Sequence, residues 1–104
     1  MFFIAVWSPR TGVAEPASIR TPQGSLPVGF ATQADAQKFV ARSGSPPNCT
    51  AVSWEELRAM NPHAFENHPR ALLFTTDTLE RFFADPRTFP YERFIKELPI
   101  ERKP

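Results

Sequence analysis

The run Asn61-Pro62-His63-Ala64-Phe65-Glu66-Asn67-His68-Pro69-Arg70 holds both histidines of the chain, with a glutamate between them. Two imidazoles and a carboxylate are the raw material of a zinc site or an acid–base pair. Their spacing argues against both. Residues five apart point about 140° away from each other on a helix and to opposite faces on a strand. The metalloprotease pattern sets two His four apart with a Glu beside the first, and this run lacks it. His63 and Glu66 can meet on one helical turn, yet two ligands alone hold a metal weakly. With prolines on either side, the run is expected to be a surface loop. The sequence therefore assigns no catalytic residue, no metal and no cofactor.

The other reactive candidates have similarly plain readings. Cys49 is the single cysteine. A nucleophilic thiolate needs a positive neighbourhood and usually a base; the flanking residues supply neither, and a small buried apolar role is expected. Thr32, Ser53 and Thr76 each follow a strand and open a helix. Crevices beyond the carboxyl ends of parallel strands take ligands, and helix N-termini favour anions, so these three hydroxyls mark a weak candidate pocket. No glycine-rich phosphate loop accompanies them, and helix capping alone explains them. Glu55, Glu56, Asp77 and Glu80 suit the positive ends of helices and are expected to be solvated.

The aromatics carry a third candidate. Phe65, Phe89 and Tyr91 lie in or beside proline-broken chain and are expected to be exposed. With Arg87 and Arg93 they have the composition of an interface hot spot. The competing reading is a satellite cluster packing the C-terminal segment onto the body. On the interface reading, Phe89→Ala with Tyr91→Ala leaves the fold intact and changes the sedimentation mass.

Local signals predict the elements that must position these residues. Phe2–Trp7 is an apolar, aromatic and β-branched run ended by Ser-Pro, as in a buried strand. Residues 17–21 and 25–31 flank Pro22-Gln23-Gly24, a hairpin turn, with the second arm at an edge or starting late, at Val28, because Pro27 lacks an N–H. Thr32 caps a helix in which Ala36, Phe39 and Val40 form one stripe, Asp35 completes a weak capping box, and Gly44 stands at the C′ position. A loop over 43–48 leads to a strand at Cys49–Val52. Ser53-Trp54-Glu55-Glu56 is a full capping box for a helix that Pro62 stops at Asn61. Ala71–Thr75 is an apolar, central strand. Thr75 or Thr76 caps a helix with Leu79, Phe82 and Phe83 inward. Pro90 opens a last helix in which Tyr91, Phe94, Ile95 and Leu98 recur at helical spacing.

That order predicts one domain over residues 1–104, of α+β or α/β class. A mixed sheet of four to five strands is expected, made of the N-terminal strand, the hairpin and then β-α-β-α-β-like units. Three to four helices pack on it as a single layer pair or a sandwich. The 41% apolar and 22% charged composition is that of a globular chain. Ten Phe imply a core of large flat side chains, and twelve Pro imply many reversals.

Net charge is +1 and the nine Arg are scattered singly, so no basic block offers the footprint of nucleic-acid binding. The apolar start is too short for a leader or a membrane span, and a lone cysteine suits a reducing compartment; a cytosolic protein is expected. The leading function class is a non-catalytic protein-interaction or regulatory protein (an adaptor, an immunity-type protein or a subunit), its partner a protein or a second copy. The alternative is a small-molecule or anion binder, or an enzyme, with its pocket at the strand ends.

Overall fold

Strand β1 (Phe2–Trp7) is the apolar N-terminal run, and three other strands use it as a template. A computed structural model of the chain describes residues 1–10, 12–43, 49–66 and 69–99. It shows an α+β fold with a mixed seven-stranded sheet and three α-helices among the described residues. Strands β2 (Ala14–Pro16), β3 (Ser18–Thr21) and β4 (Gly24–Phe30) precede helix α1 (Gln33–Ser43). Strand β5 (Cys49–Ser53) leads into α2 (Trp54–Met60), and β6 (Arg70–Phe74) leads into α3 (Thr76–Ala84). A turn of 3₁₀ helix at Tyr91–Arg93 then precedes β7 (Ile95–Glu97).

At one end of the sheet the strands run β5-β1-β4-β6-β7. At the other end β1 and β4 splay apart, because they pair only at Phe2↔Phe30 and Phe3↔Gly29. The chain fills that fork. β2 returns along β1, turns at Ala17, and leaves as β3 along β4. Ala17 holds the apex, donating its N–H to Ile4 O at 2.8 Å and accepting from Val28 N–H at 3.1 Å.

Strands β4, β5 and β6 point the same way, although only β4 and β6 are direct parallel neighbours. From β4 the chain crosses outward to β5 through α1; from β5 it crosses back to β6 through α2. Two crossovers of the same hand in opposite lateral directions must lie on opposite faces. The core divides accordingly. Phe3, Ala5, Val52, Trp54, Leu57, Phe65 and Ala71 pack on the α2 face. Ile4, Val28, Phe30, Phe39, Leu72, Phe74, Leu79 and Phe89 pack on the face of α1 and α3. The two-residue alternation along β1 and β6 sorts their side chains between these faces.

Three sequence expectations are corrected. The sheet has seven strands, not four or five; the additions are the three-residue β2 and β7. The helix expected from Pro90 is one 3₁₀ turn followed by β7, which pairs antiparallel with β6 through Leu72↔Ile95. Residues three apart face opposite sides of a strand, and Ile95 and Leu98 do enter opposite clusters. A helix would have put both on one face. Finally, β4 starts at Gly24 and not late at Val28, and it runs straight through Pro27; the edge alternative holds there, since among the described strands β3 alone pairs with Gly24–Pro27. Val28 N–H points to Ala17, so the Pro27 nitrogen faces the β6 side. There the register begins only at Val28↔Leu72, and the proline breaks no ladder bond. The expected Gly44 cap and most of the loop over 43–48 lie outside the described residues.

The hairpin turn forms as its sequence requires. Gly24 has φ 100°, and the buried Thr21 hydroxyl donates to Gly24 O and accepts from Gln23 N–H. Gly29 is needed for another reason. A Cβ there would lie 2.5 Å from a Leu73 methyl and 3.2 Å from the buried Phe3 ring. Gly29→Ala is expected to lower unfolding free energy by about 1–3 kcal/mol through overpacking, measured by urea denaturation with an unchanged m-value.

Candidate functional site

The three helix N-termini follow β4, β5 and β6 and therefore meet the same end of the sheet. Their hydroxyls are occupied. Ser53 and Glu56 form a reciprocal capping box, the Ser53 side chain accepting from Glu56 N–H and Glu56 Oε1 accepting from Ser53 N–H, both at 3.1 Å. Thr32 Oγ1 accepts from Asp35 N–H at 3.1 Å. The cap of α3 is Thr75, paired reciprocally with Thr78. Thr76 Oγ1 instead donates 2.9 Å across to Asp35 Oδ2, a buried carboxylate. Asp35 thus does not close the capping box expected of it; it ties α1 to α3, and a Lys38–Glu80 ion pair lies farther along the same two helices.

Thr32 and Thr76 are brought together around that carboxylate, while Ser53 stands apart at the end of β5. An open, largely apolar cleft of ≈ 260 Å³ does lie at the carboxyl ends of β4 and β6, lined by Met1, Phe30, Ala31, Leu73, Phe74 and Thr75. None of the three expected hydroxyls lines it.

His63 Nδ1 meets Glu66 Oε1 at 2.5 Å, with the two side chains 74% and 62% exposed. His68 lies outside the described residues. No group of three or more His, Cys, Asp or Glu that could hold a metal occurs among the described residues. The loop carrying His63 is anchored by Asn61, whose side chain donates to Ala14 O at 2.9 Å and accepts from His63 N–H. This loop inserts Phe65 against Phe3 and Trp54, with ring centroids 5.0 and 4.9 Å away. Cys49 packs toward the other face, with the α1 cluster.

The expected hot spot is largely interior. Phe65 and Phe89 are buried, which corrects the expectation that they are exposed; proline breaks the helix there, but the loop folds inward because the sheet offers apolar surface to cover. Tyr91 is half-buried, its hydroxyl donates to Pro86 O at 2.8 Å, and burial pushes its pKa up. Asp85 orders the preceding turn by accepting from Thr88 Oγ1 and Arg87 N–H. The Thr88 hydroxyl bond is the main reason its carboxyl sits below the usual aspartate value. Arg87 and Arg93 remain exposed. Among the described residues the large apolar side chains with the most exposure are Met1 and Trp7, so residues 89–94 present no apolar patch.

What stays open is backbone. β5 pairs with β1 alone among the described residues. The ladder is antiparallel over Phe2↔Ser53 to Val6↔Cys49, and the hydrogen bonds at its end fix which groups face outward. Trp54 N–H donates to Met1 O at 2.9 Å, so the Met1/Trp54 pair is hydrogen-bonded. By antiparallel alternation so are Phe3/Val52 and Ala5/Thr50. Ile4 confirms this, since its carbonyl turns away from β5 toward Ala17. The N–H and C=O groups of Cys49 and Ala51 therefore face away from the sheet. Ser53 would continue that row, but Glu56 has taken its N–H.

Edges of sheets are ordinarily blunted by charge, proline or brevity. β7 has three residues, two of them Lys96 and Glu97; β2 carries Glu15 and Pro16; β3 carries Arg20. β5 reads Cys-Thr-Ala-Val-Ser and has none of these guards. Beside it runs a mostly apolar groove of ≈ 340 Å³, lined by Gln37, Val40 and Ala41 of α1 and by Cys49, Thr50 and Ala51. None of the candidate residues drawn from the sequence lies on this edge except Cys49 and Ser53, and neither was expected to act through its backbone. The absence of Lys, Glu and Pro from residues 49–53 was the signal.

No protein-family model, no curated protein and no solved structure matches this chain.

Proposed function

We propose that this chain works by protein contact, as a small regulatory, adaptor, immunity-type or subunit protein that accepts a strand at the outer edge of β5. The observation that carries the reading is the unguarded backbone of Cys49 and Ala51 beside the α1 groove. An added strand gains main-chain hydrogen bonds along such an edge, and side-chain pockets next to it supply selectivity.

Ala51→Pro tests it with little disturbance to the fold. The Ala51 N–H faces outward, and a proline is tolerated on an edge strand when its missing N–H points to solvent. Proteins retained from an extract by the immobilised wild-type chain should be lost with Ala51→Pro, while the melting temperature changes by no more than a few degrees. Retention that the substitution leaves unchanged overturns the reading.

The cleft at the ends of β4 and β6 favours a second reading, a small apolar ligand held by Phe30, Leu73 and Phe74. A ligand that binds the folded state alone raises the melting temperature in proportion to its saturation. A thermal-shift screen of flat apolar metabolites therefore tests it, and no shift at millimolar concentrations removes it.

A further inference from the structure

We infer that the strand accepted at this edge is β5 of a second copy, paired antiparallel about a two-fold axis that passes between Thr50 and its own counterpart. The inference rests on the reading that β5 is the contact edge, and it goes further by naming the occupant and the register.

Hydrogen-bonding supply sets the register. The outward groups belong to Cys49 and Ala51, one on each side of Thr50. Placing Cys49 opposite Ala51 of a second copy, and Ala51 opposite Cys49, makes two hydrogen-bonded pairs, each exchanging both bonds. Every outward amide is then used. Sliding the axis to Ala51 would set Cys49 opposite Ser53, whose amide already serves the α2 cap. An unrelated strand that draws on the groups beyond Ala51 meets that withdrawn amide, whereas the register centred on Thr50 asks β5 for the Cys49 and Ala51 groups alone.

Charge and shape agree. A two-fold axis sets the strand against an identical one, so charges close to the axis would face like charges; residues 49–53 carry none. Thr50 is exposed and would meet its counterpart in a non-hydrogen-bonded pair, the position where facing side chains are closest and where Thr–Thr pairs are favourable. On the α1 face, the small Cys49 and Ala51 side chains of each copy would enter the groove under Val40 and Ala41 of the other. Such an isologous contact closes on itself and stops at two chains.

Sedimentation of the purified full chain over a range of concentrations should show a monomer–dimer equilibrium, and Ala51→Pro should weaken it by about tenfold or more through the loss of one hydrogen bond from each copy. Register is read by cross-linking in a Cys49→Ser background with oxidised glutathione as the oxidant. Thr50→Cys should give a disulfide-linked dimer and two equivalents of reduced glutathione per bond, while Ala51→Cys, which would face position 49, should remain largely unlinked. A chain that is monomeric at every concentration, or one that links better through position 51 than position 50, overturns the inference. If the purified chain is monomeric while capture from an extract still depends on Ala51, self-pairing fails and the contact edge stands. If neither is seen, both fail.

Discussion

Phe3→Ala is expected to cost about 3–5 kcal/mol, the range for removing a large aromatic from a packed core. Phe3 has no solvent exposure, and its ring meets Trp54 at 5.7 Å and Phe65 at 5.0 Å between centroids. It also fills the space that the missing side chain of Gly29 leaves open. The α2 face is built on that ring: α2 presents Trp54 and Leu57 to it, and the loop after α2 closes over it with Phe65. Partial collapse is difficult because its two ring neighbours, Trp54 on α2 and Phe65 on the loop after it, are themselves rigid. For a chain of this size the loss corresponds to a drop in melting temperature of more than about 10 °C, measured by calorimetry. Amide exchange should quicken first in α2 and residues 61–66, since these depend on the ring most directly. A loss below about 1 kcal/mol would mean that the α2 face does not pack on β1 as described.

Most of the fold was legible because local and tertiary signals agreed. The Ser53–Glu56 capping box, the Pro22-Gln23-Gly24 turn and the stripes Ala36/Phe39 and Leu79/Phe82/Phe83 each named an element that formed. Disagreement arose where the sheet overrode a local pattern. Tyr91, Phe94, Ile95 and Leu98 have helical spacing, yet the edge of β6 offers unpaired hydrogen-bonding groups, and a strand there can also divide Ile95 and Leu98 between two cores. Such a gain is invisible from periodicity within one segment. Ala17 is a similar case: nothing in its own neighbourhood says that the fork between β1 and β4 will need an apex. The candidate site was harder still. Reactive side chains announce themselves in a sequence, whereas an edge strand is defined by which partner is missing, and the strand order had to be known before residues 49–53 could be seen as unguarded.

Phe89→Ala separates the two readings of the C-terminal aromatics, and the structure reverses the expectation that such a change spares the fold. Phe89 is 6% exposed, with its ring 5.6 Å from Phe74, 5.7 Å from Phe82, 5.2 Å from Tyr91 and 5.3 Å from Phe94 between centroids. Two of those partners belong to β6 and α3, and two to the segment that leads into β7. The side chain therefore pins the chain's last turn to the sheet, beneath the Asp85–Thr88 turn that orients it. Truncation removes its burial and several edge-to-face and stacked contacts worth about 0.5–1.5 kcal/mol each beyond area. The expected loss is about 3–4 kcal/mol, near the lower end for a phenylalanine because the cavity opens close to the surface and can partly close. Urea denaturation measures it. The dissociation constant for self-association should not change at conditions where the variant is folded, since β5 lies at the opposite edge of the sheet. A variant of wild-type stability that has lost its dimer would transfer the contact surface from β5 to residues 87–93, because only an exposed ring can be removed at no cost to the fold.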